Sequence, residues 1–442
     1  MARPSQSRAP QSRTKFPANT PPVTLAIEHL GGRGDGVATH QGERYFVPLA
    51  LPGDVVSLRP VEATAEGIRG EIVELVTASP DRQDAPCEHF GRCGGCLLQH
   101  VAPAAYADFK RAQVLVAVER AGGDPAIVAE LATIPPRSRR RATLVARRVS
   151  AGLALGFHEH RGHFIVDVQD CPILHPALMA VFPALRETLA LLLEMGESAT
   201  IALLKLDSGI DALIDLERQP DLAGREALAA LAETADLCRL SIRIGGINAT
   251  PELAAERRPA SQSFGGIAVP VPPGAFLQAT DAAEAILVGA VTQAVTGAKR
   301  IADLYAGCGT FALPMAAAGA SVLAAEGFAP ALDALTTAAR RASPGLALET
   351  SLRDLARDPL QADDLADFDA VVFDPPRAGA REQTTQIAAS EVPVVVAVSC
   401  NPSTFSRDAK ILIEGGYTLE RVLPVDQFLW SAHVELVAVF RR

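Results

Sequence analysis

Between residues 23 and 76, apolar and polar positions alternate in short runs: VTLAIEHL, ERYFVPLAL, DVVSLRPVEA and RGEIVELV. The turn signals GGRGDG, PGD and EG separate them. Alternation at period two between turn signals predicts short, half-buried strands. Several such strands in one brief stretch predict a small β-barrel of the oligonucleotide-binding kind. From residue 103 the period lengthens, and PAAYADFKRAQVLVAVER reads as a helix over 103–120. Residues 131–275 read as alternating strands and helices without a nucleotide loop, the clearest element being a helix around Pro176–Met195. From about Pro272, strand, loop and helix alternate regularly to the C-terminus, the pattern of a doubly wound sheet.

Composition narrows the class. The chain has 442 residues, 48% hydrophobic and 21% charged, which suits two or three globular domains at roughly 150 residues each and excludes general disorder. No apolar run approaches the ~18 residues of a membrane span, and MARPSQSRAPQSRTKFP lacks the apolar centre of a secretory signal. A cytoplasmic protein with no membrane association is expected, by default a monomer. The net charge of -10 argues against a protein that coats nucleic acid through bulk charge, but a local basic strip can still bind RNA. Residues 1–20 read as a flexible basic tail, 21–80 as the barrel, 81–271 as a cysteine loop with a central α+β domain, and 272–442 as the doubly wound domain. The helix over 103–120 is able to pack with the last of these.

The seven cysteines are odd in number, and three fall within ten residues (87, 93 and 96). That pattern excludes a secreted disulfide framework and points to a metal or to catalysis. Cys87-x5-Cys93-x2-Cys96, with Gly94 and Gly95 permitting tight wrapping, supplies three thiolates, and Cys171 in VQDCPIL is the available fourth. Spacing leaves zinc and an iron–sulfur cluster equally open. His100 reads as local packing, Cys238 as core and Cys308 as a small residue in a loop.

In the C-terminal region, KRIADLYAGCGTFALPMAAAG is a strand entering a glycine turn and then a helix. Asp303 ends the strand, Gly307 and Gly309 allow close backbone approach, and Thr310 is placed to help start the helix. The next strand, ASVLAAE, ends in Glu326, an acid suited to ribose hydroxyls. Two further apolar strands end in Asp374-Pro375-Pro376-Arg377 and Ser399-Cys400-Asn401-Pro402, at the carboxyl ends where open α/β sheets build their sites. Cys400, just before a Ser403/Thr404 helix cap, is expected to have a lowered pKa.

Taken together, Phe276-Leu277-Gln278-Ala279, DLYAGCGTFALP, DPPRAG, VSCNPSTFSRD and His433-Val434-Glu435 resemble the S-adenosylmethionine-dependent RNA (uracil-5-)-methyltransferases. That family includes enzymes acting on tRNA and on 23S rRNA. The motifs occur in order, at matching spacing, over essentially the whole chain beyond the tail. Uracil C5 is a poor nucleophile, so a thiolate must first add at C6 to make C5 electron-rich, and a base must later remove the C5 proton. The resemblance implies Cys400 as nucleophile, Glu435 as base with His433 supporting, and Asp374 on the uracil edge, the cofactor or both. Arg377 would pair with a carboxylate or phosphate. Cofactor contacts are implied at Gln278, Tyr305, Gly307, Thr310, Glu326, Asp354 and Asp374. The chain departs from its relatives at Thr280 (usually Asn), at Arg340-Arg341 (usually Asn-Ala), and in QFLWSAHVE, which lacks Phe-Pro-His-Thr.

The resemblance also implies a [4Fe–4S] cluster on Cys87, Cys93, Cys96 and Cys171, and a TRAM-type RNA-binding barrel. The fold expected is thus multidomain α/β: an oligonucleotide-binding-like TRAM barrel, a central α+β domain with an iron–sulfur loop, and a Rossmann-like class I methyltransferase domain. Arg137, Arg139, Arg140 and Arg141, the densest basic run, are expected to contact phosphates beside the barrel. The radical S-adenosylmethionine methylthiotransferases share a cluster and a TRAM domain, but theirs is a C-x3-C-x2-C loop. RNA is the expected partner, 23S rRNA by preference. A tRNA enzyme and a non-catalytic RNA-binding or assembly factor are the alternatives.

Overall fold

The computed structural model describes residues 14–160, 162–342 and 346–442. Residues 1–13, most of the expected basic tail, lie outside that description. Among the described residues the chain forms three seven-stranded sheets and one two-stranded ribbon, and it divides into two compact units.

The first unit holds residues up to Gly91 with two later segments, Gly95–Phe109 and Trp430–Ala432. Its sheet runs Thr14–Lys15, Val55–Thr64, Gly67–Thr77, Glu43–Val47, Gly36–His40 and His29–Leu30, with Val23–Ala26 also on Val55–Thr64. Thr14 and Lys15 pair with Ala63 and Glu62, so the described part of the expected tail begins in a strand. Leu25, Val47, Val56 and Leu58 fill the core, as the alternation requires. Buried Asp54 accepts from Leu51 N at 2.6 Å, Ser79 N at 2.8 Å and Arg82 Nε at 2.8 Å. Burial alone would raise its pKa, yet these donors hold it below the usual carboxylate range.

The second unit contains the other two large sheets. The central one is antiparallel except where Gly209–Leu216 runs parallel to Leu237–Ile244. The helix expected around Pro176–Met195 is two helices, Pro176–Met179 and Phe182–Leu192. Pro183 lies in the first turn of the second, a position a proline tolerates because it has no N–H to donate.

The C-terminal sheet has the order Leu348–Leu352, Ser321–Glu326, Arg300–Leu304, Ala370–Phe373, Val394–Ser399, Glu435–Arg441, Thr418–Val425. The first five strands are parallel, and the last two antiparallel to their neighbours. Ala370–Phe373 is buried throughout, as a parallel strand covered on both faces must be. The chain leaves Arg300–Leu304 towards one edge and returns to its other side, which opens a crevice at the carboxyl ends of the strands. The antiparallel Glu435–Arg441 strand begins at that same end. Leu436 pairs with Ser399, so its first residue stands beside Cys400.

Lys110 is fully buried in the Pro103–Ala121 helix. It ion-pairs with Asp426 at 2.8 Å and donates to the carbonyl oxygens of Phe428, at 3.3 Å, and His433. One cation thereby anchors both ends of the loop leading into Glu435.

Candidate active site

Four segments of the second unit bring their ends together. Gln278, just ahead of the Asp281–Ala294 helix, donates from Nε2 to Asp374 Oδ2 at 2.8 Å. Glu435, 2% exposed, accepts from Gln427 Nε2 at Oε2, while its Oε1 is buried and lacks a hydrogen-bond partner. Burial pushes Asp374 up to about 7. Burial and the Asp374 charge push Glu435 well above the usual carboxylate range. Two carboxyls this close in a dehydrated site do not both ionise at neutral pH.

Cys400 is half-buried at the end of Val394–Ser399. The expected lowered pKa is not found. Burial, then the Glu435 and Asp374 charges, push the thiol up to about 11, and Arg377 offsets only part of this. The following helix is capped by Asn401, whose side chain accepts from Ser403 N at 3.1 Å, rather than by Ser403 or Thr404. Alkylation of Cys400 in the RNA-free protein, followed on its peptide by mass spectrometry, should therefore climb with pH through 8–10. Replacing Glu435 by Gln removes a charge that disfavours the thiolate, so alkylation at pH 8–9 should then be faster. A plateau below pH 8 would contradict both.

The glycine turn is shaped by Glu326. Its Oε2 accepts from Gly307 N at 2.9 Å and its Oε1 from Phe328 N at 2.7 Å, leaving lone pairs for ribose hydroxyls. Tyr305 sits at φ 63, an uncommon conformation for a residue with a Cβ. At Gly309, φ 95, a Cβ would come within 2.5 Å of Leu335 Cδ1, so only glycine fits. Thr310 does not cap the short Ala312–Ala317 helix, which starts at Phe311 with no side-chain cap. Asp354 is exposed after Leu348–Leu352 and accepts from Ala356 N at 3.2 Å. Asp303 is fully buried with neither oxygen hydrogen-bonded. Burial and the Asp374 charge raise its pKa strongly, and the nearby Ala312 amide, which makes no well-formed hydrogen bond to it, offsets only part of that. An orphaned acid beside the glycine turn is what a cation-bearing nucleoside cofactor would satisfy.

The arginine run divides by role. Arg140 is fully buried, bonded to Asp281 Oδ1 at 2.6 Å, to Glu284, and from Nε to the Gln278 carbonyl at 2.9 Å. It has nothing left for phosphate, and the expected RNA contact there is corrected to a clamp on the Gln278 segment. Arg140→Ala strands the buried Glu284, while Asp281 keeps Lys205 at 3.1 Å, and should cost about 3–5 kcal/mol of stability, read by chemical denaturation. Arg137 is exposed and bidentate on Asp170 at 2.7 and 3.1 Å. Arg139 donates from Nε to the Arg141 carbonyl at 3.0 Å. Arg141 stacks over exposed Phe276, Cζ 4.1 Å from the ring centre. Burial and its arginine neighbours lower its pKa to about 10, against the pull of Glu435 and Cys400. Thr280 caps the Asp281–Ala294 helix, accepting from Ala283 N at 3.0 Å, a task Asn performs equally well. Loss of hydration with the Arg377 and Lys110 charges pushes His433 down to about 4.

Sequence reasoning missed Gln427 and Lys110. Lys110 was signalled by its spacing, since it shares the buried helical stripe of Val114 and Val118 and a charge there demands a partner. Gln427 had no such signal. Cys87, Cys93, Cys96 and Cys171 are half-buried and none is in a disulfide. Cys93 and Cys171 pack against one core. Among the described residues no three His, Cys, Asp or Glu side chains gather as a metal ion requires. No helix among the described residues is long and apolar enough to cross a membrane.

Residues 347–442 match the family model described as tRNA (Uracil-5-)-methyltransferase. A Caulobacter vibrioides protein named an uncharacterized RNA methyltransferase is 43% identical over 95% of this chain and 99% of its own. The 23S rRNA (uracil(1939)-C(5))-methyltransferase RlmD of Erwinia tasmaniensis is 31% identical, covering 95% of this chain and 96% of its own. Among solved structures, the Pyrococcus abyssi tRNA (uracil-54, C5)-methyltransferase, crystallised with S-adenosyl-L-homocysteine, superposes with a TM-score of 0.73. It covers 95% of this chain and 100% of its own at 22% identity, a likeness of fold.

Proposed function

This chain belongs to the RNA (uracil-5-)-methyltransferase family, and from that premise we propose that it forms 5-methyluridine in 23S rRNA with Cys400, Glu435 and Asp374 as its catalytic residues. The observation that carries the reading is the meeting of these three side chains at one end of the sheet, where burial raises all three and the Asp374 charge adds to the shifts of Cys400 and Glu435. Such perturbation concentrates where chemistry is done.

The family uses S-adenosylmethionine, which supplies an electrophilic methyl group when bound. The orphaned Asp303 carboxyl and the glycine turn fit such a ligand, with Gln278, Tyr305, Gly307, Thr310, Glu326, Asp354 and Asp374 as its holders. On the RNA, the Cys400 sulfur adds to uracil C6 and the C5–C6 electron pair becomes available at C5. Asp374 holds the uracil edge, and in its protonated form it can donate to a carbonyl oxygen as negative charge develops there. After C5 is methylated, Glu435 takes the C5 proton, the C5=C6 bond re-forms and sulfur leaves as thiolate. The high thiol pKa means that Cys400 must lose its proton within the complex; Asp374, pushed up only to about 7, is suited to receive it, which leaves Asp374 protonated to donate to the carbonyl and Glu435 ionised for the C5 proton. The target base has to leave its stack to reach so recessed a thiol.

Arg141, which interacts with Cys400 and Glu435, and its neighbour Arg139 are proposed to contact the RNA backbone, and the mixed sheet of the first unit is proposed as a TRAM-type barrel. The four cysteines are proposed to hold a [4Fe–4S] cluster with a structural role, through which no catalytic step runs. Iron and acid-labile sulfide in anaerobically purified protein would test that assignment, and their absence would remove it. The function is tested by methyl transfer from labelled S-adenosylmethionine to unmodified 23S rRNA and tRNA transcripts, followed by nucleoside and fragment mass spectrometry. 5-Methyluridine in one 23S fragment is expected. The same nucleoside in tRNA alone would overturn the target, and its absence from both would overturn the reaction.

A further inference from the structure

Gln427 is 3% exposed, and every polar atom of its side chain is used. Its Oε1 accepts from the backbone N–H of Ala279 at 3.0 Å. That bond fixes the orientation of the amide, because the backbone donor needs an oxygen opposite it. The Nε2 group must then face the other way. One N–H goes to Gln278 Oε1 at 3.0 Å and the other to Glu435 Oε2. Gln278 in turn donates to Asp374 Oδ2. Two amides thus join the two carboxyls of the site in a single chain, and both amide orientations are set by one backbone N–H.

The consequence falls on Glu435. Its Oε2 is tethered, while its Oε1 is buried and has no hydrogen-bond partner. The carboxyl is therefore held in one rotation with one oxygen left to receive a proton. We propose that Gln427 is a positioning residue for proton removal, aiming Glu435 Oε1 at the C5 hydrogen, an inference that rests on the reaction proposed above. In that step the C5–H bond breaks and its proton goes to Oε1. The electron pair forms C5=C6, and the C6–S pair leaves with the Cys400 sulfur. With its side chain engaged by Ala279, Gln278 and Glu435, Gln427 acts through Glu435 in this proposal. The N–H it gives to Glu435 Oε2 also favours the ionised form of that acid, opposing burial and the Asp374 charge.

The loop does not depend on Gln427 for its course. Asp426, Phe428 and His433 are held by Lys110. Removing the two amide N–H groups should therefore release the carboxyl while leaving the backbone in place. Gln427→Met, of similar length and without donors, is expected to slow multiple turnover on unmodified 23S rRNA transcript by roughly 10–100-fold, part of what a general base supplies. With methyl-labelled S-adenosylmethionine, label should accumulate in a protein–RNA adduct that survives denaturation. The alkaline shift of the rate's ascending limb should accompany it, since loss of a donor raises the Glu435 pKa. On a 5-fluorouridine transcript, which has no C5 proton to remove, adduct should form within about twofold of the wild-type rate, because thiol addition and methylation precede the affected step.

Equal slowing on the 5-fluorouridine transcript, or no labelled adduct, would overturn the proposal. Should Gln427→Met fail to fold, Gln427→Glu keeps the length and the acceptor for Ala279 but sets a third acid beside Glu435. It is expected to accumulate the same adduct, and wild-type turnover there would overturn the proposal equally. If the wild-type protein itself forms no adduct on the fluorinated transcript, the reaction proposed above falls, and this inference with it.

Discussion

Cys400→Ala is expected to abolish formation of 5-methyluridine, with a loss on the order of 10⁴-fold or more, as removal of a covalent nucleophile entails. Without the sulfur no C6 bond forms, and C5 keeps too little electron density to take a methyl group. The change removes one sulfur from a half-buried position at a strand end, so the fold should persist. RNA and S-adenosylmethionine should bind as before, because neither Glu326 nor the arginines depend on the thiol. Labelled methyl transfer with nucleoside mass spectrometry reads the first effect, and filter binding reads the second. Methylation at more than a hundredth of the wild-type rate would exclude the covalent route.

Glu435→Gln is expected to lower turnover by roughly 10²–10⁴-fold, the range a general base supplies, with a different signature. Thiol addition and methylation precede proton removal, so the variant should stall after methyl transfer. The product is a methylated protein–RNA adduct, visible as labelled RNA that migrates with the protein under denaturing conditions. The substitution is nearly isosteric and removes an acid that burial disfavours in its charged form, so stability should not fall. An equal loss without adduct would mean that Glu435 serves an earlier step, such as accepting the Cys400 proton.

The three residues proposed as catalytic could be singled out before any fold was known, because strand-end motifs are local. Apolar runs ending in Asp374 and in Cys400, and a His-x-Glu ahead of the last strand, place chemistry at the mouth of a parallel sheet. The thiol's acidity was misjudged from the same local view. A helix start two residues on suggested a lowered pKa, whereas burial and the charges of Glu435 and Asp374, which arrive from other strands, outweigh it. Arg140 failed for a related reason. In sequence it belongs to a basic run, but just ahead of the Arg141–Val149 strand it points into the protein towards Asp281 and Glu284. Pro183 likewise broke one expected helix in two.

By itself, then, the sequence determined what is written in short-range order: element periods, the glycine turn, the residues at strand ends and the chemistry they can carry. Tertiary structure decided their protonation and their partners. The amide chain from Asp374 through Gln278 and Gln427 to Glu435 joins residues up to 157 positions apart in the chain, and only packing brings them within hydrogen-bonding distance. Desolvation and charge–charge interaction act over a few ångströms of space, not of sequence. The pKa of each group, and the orientation of the one carboxyl oxygen left for a proton, therefore belong to the folded chain alone.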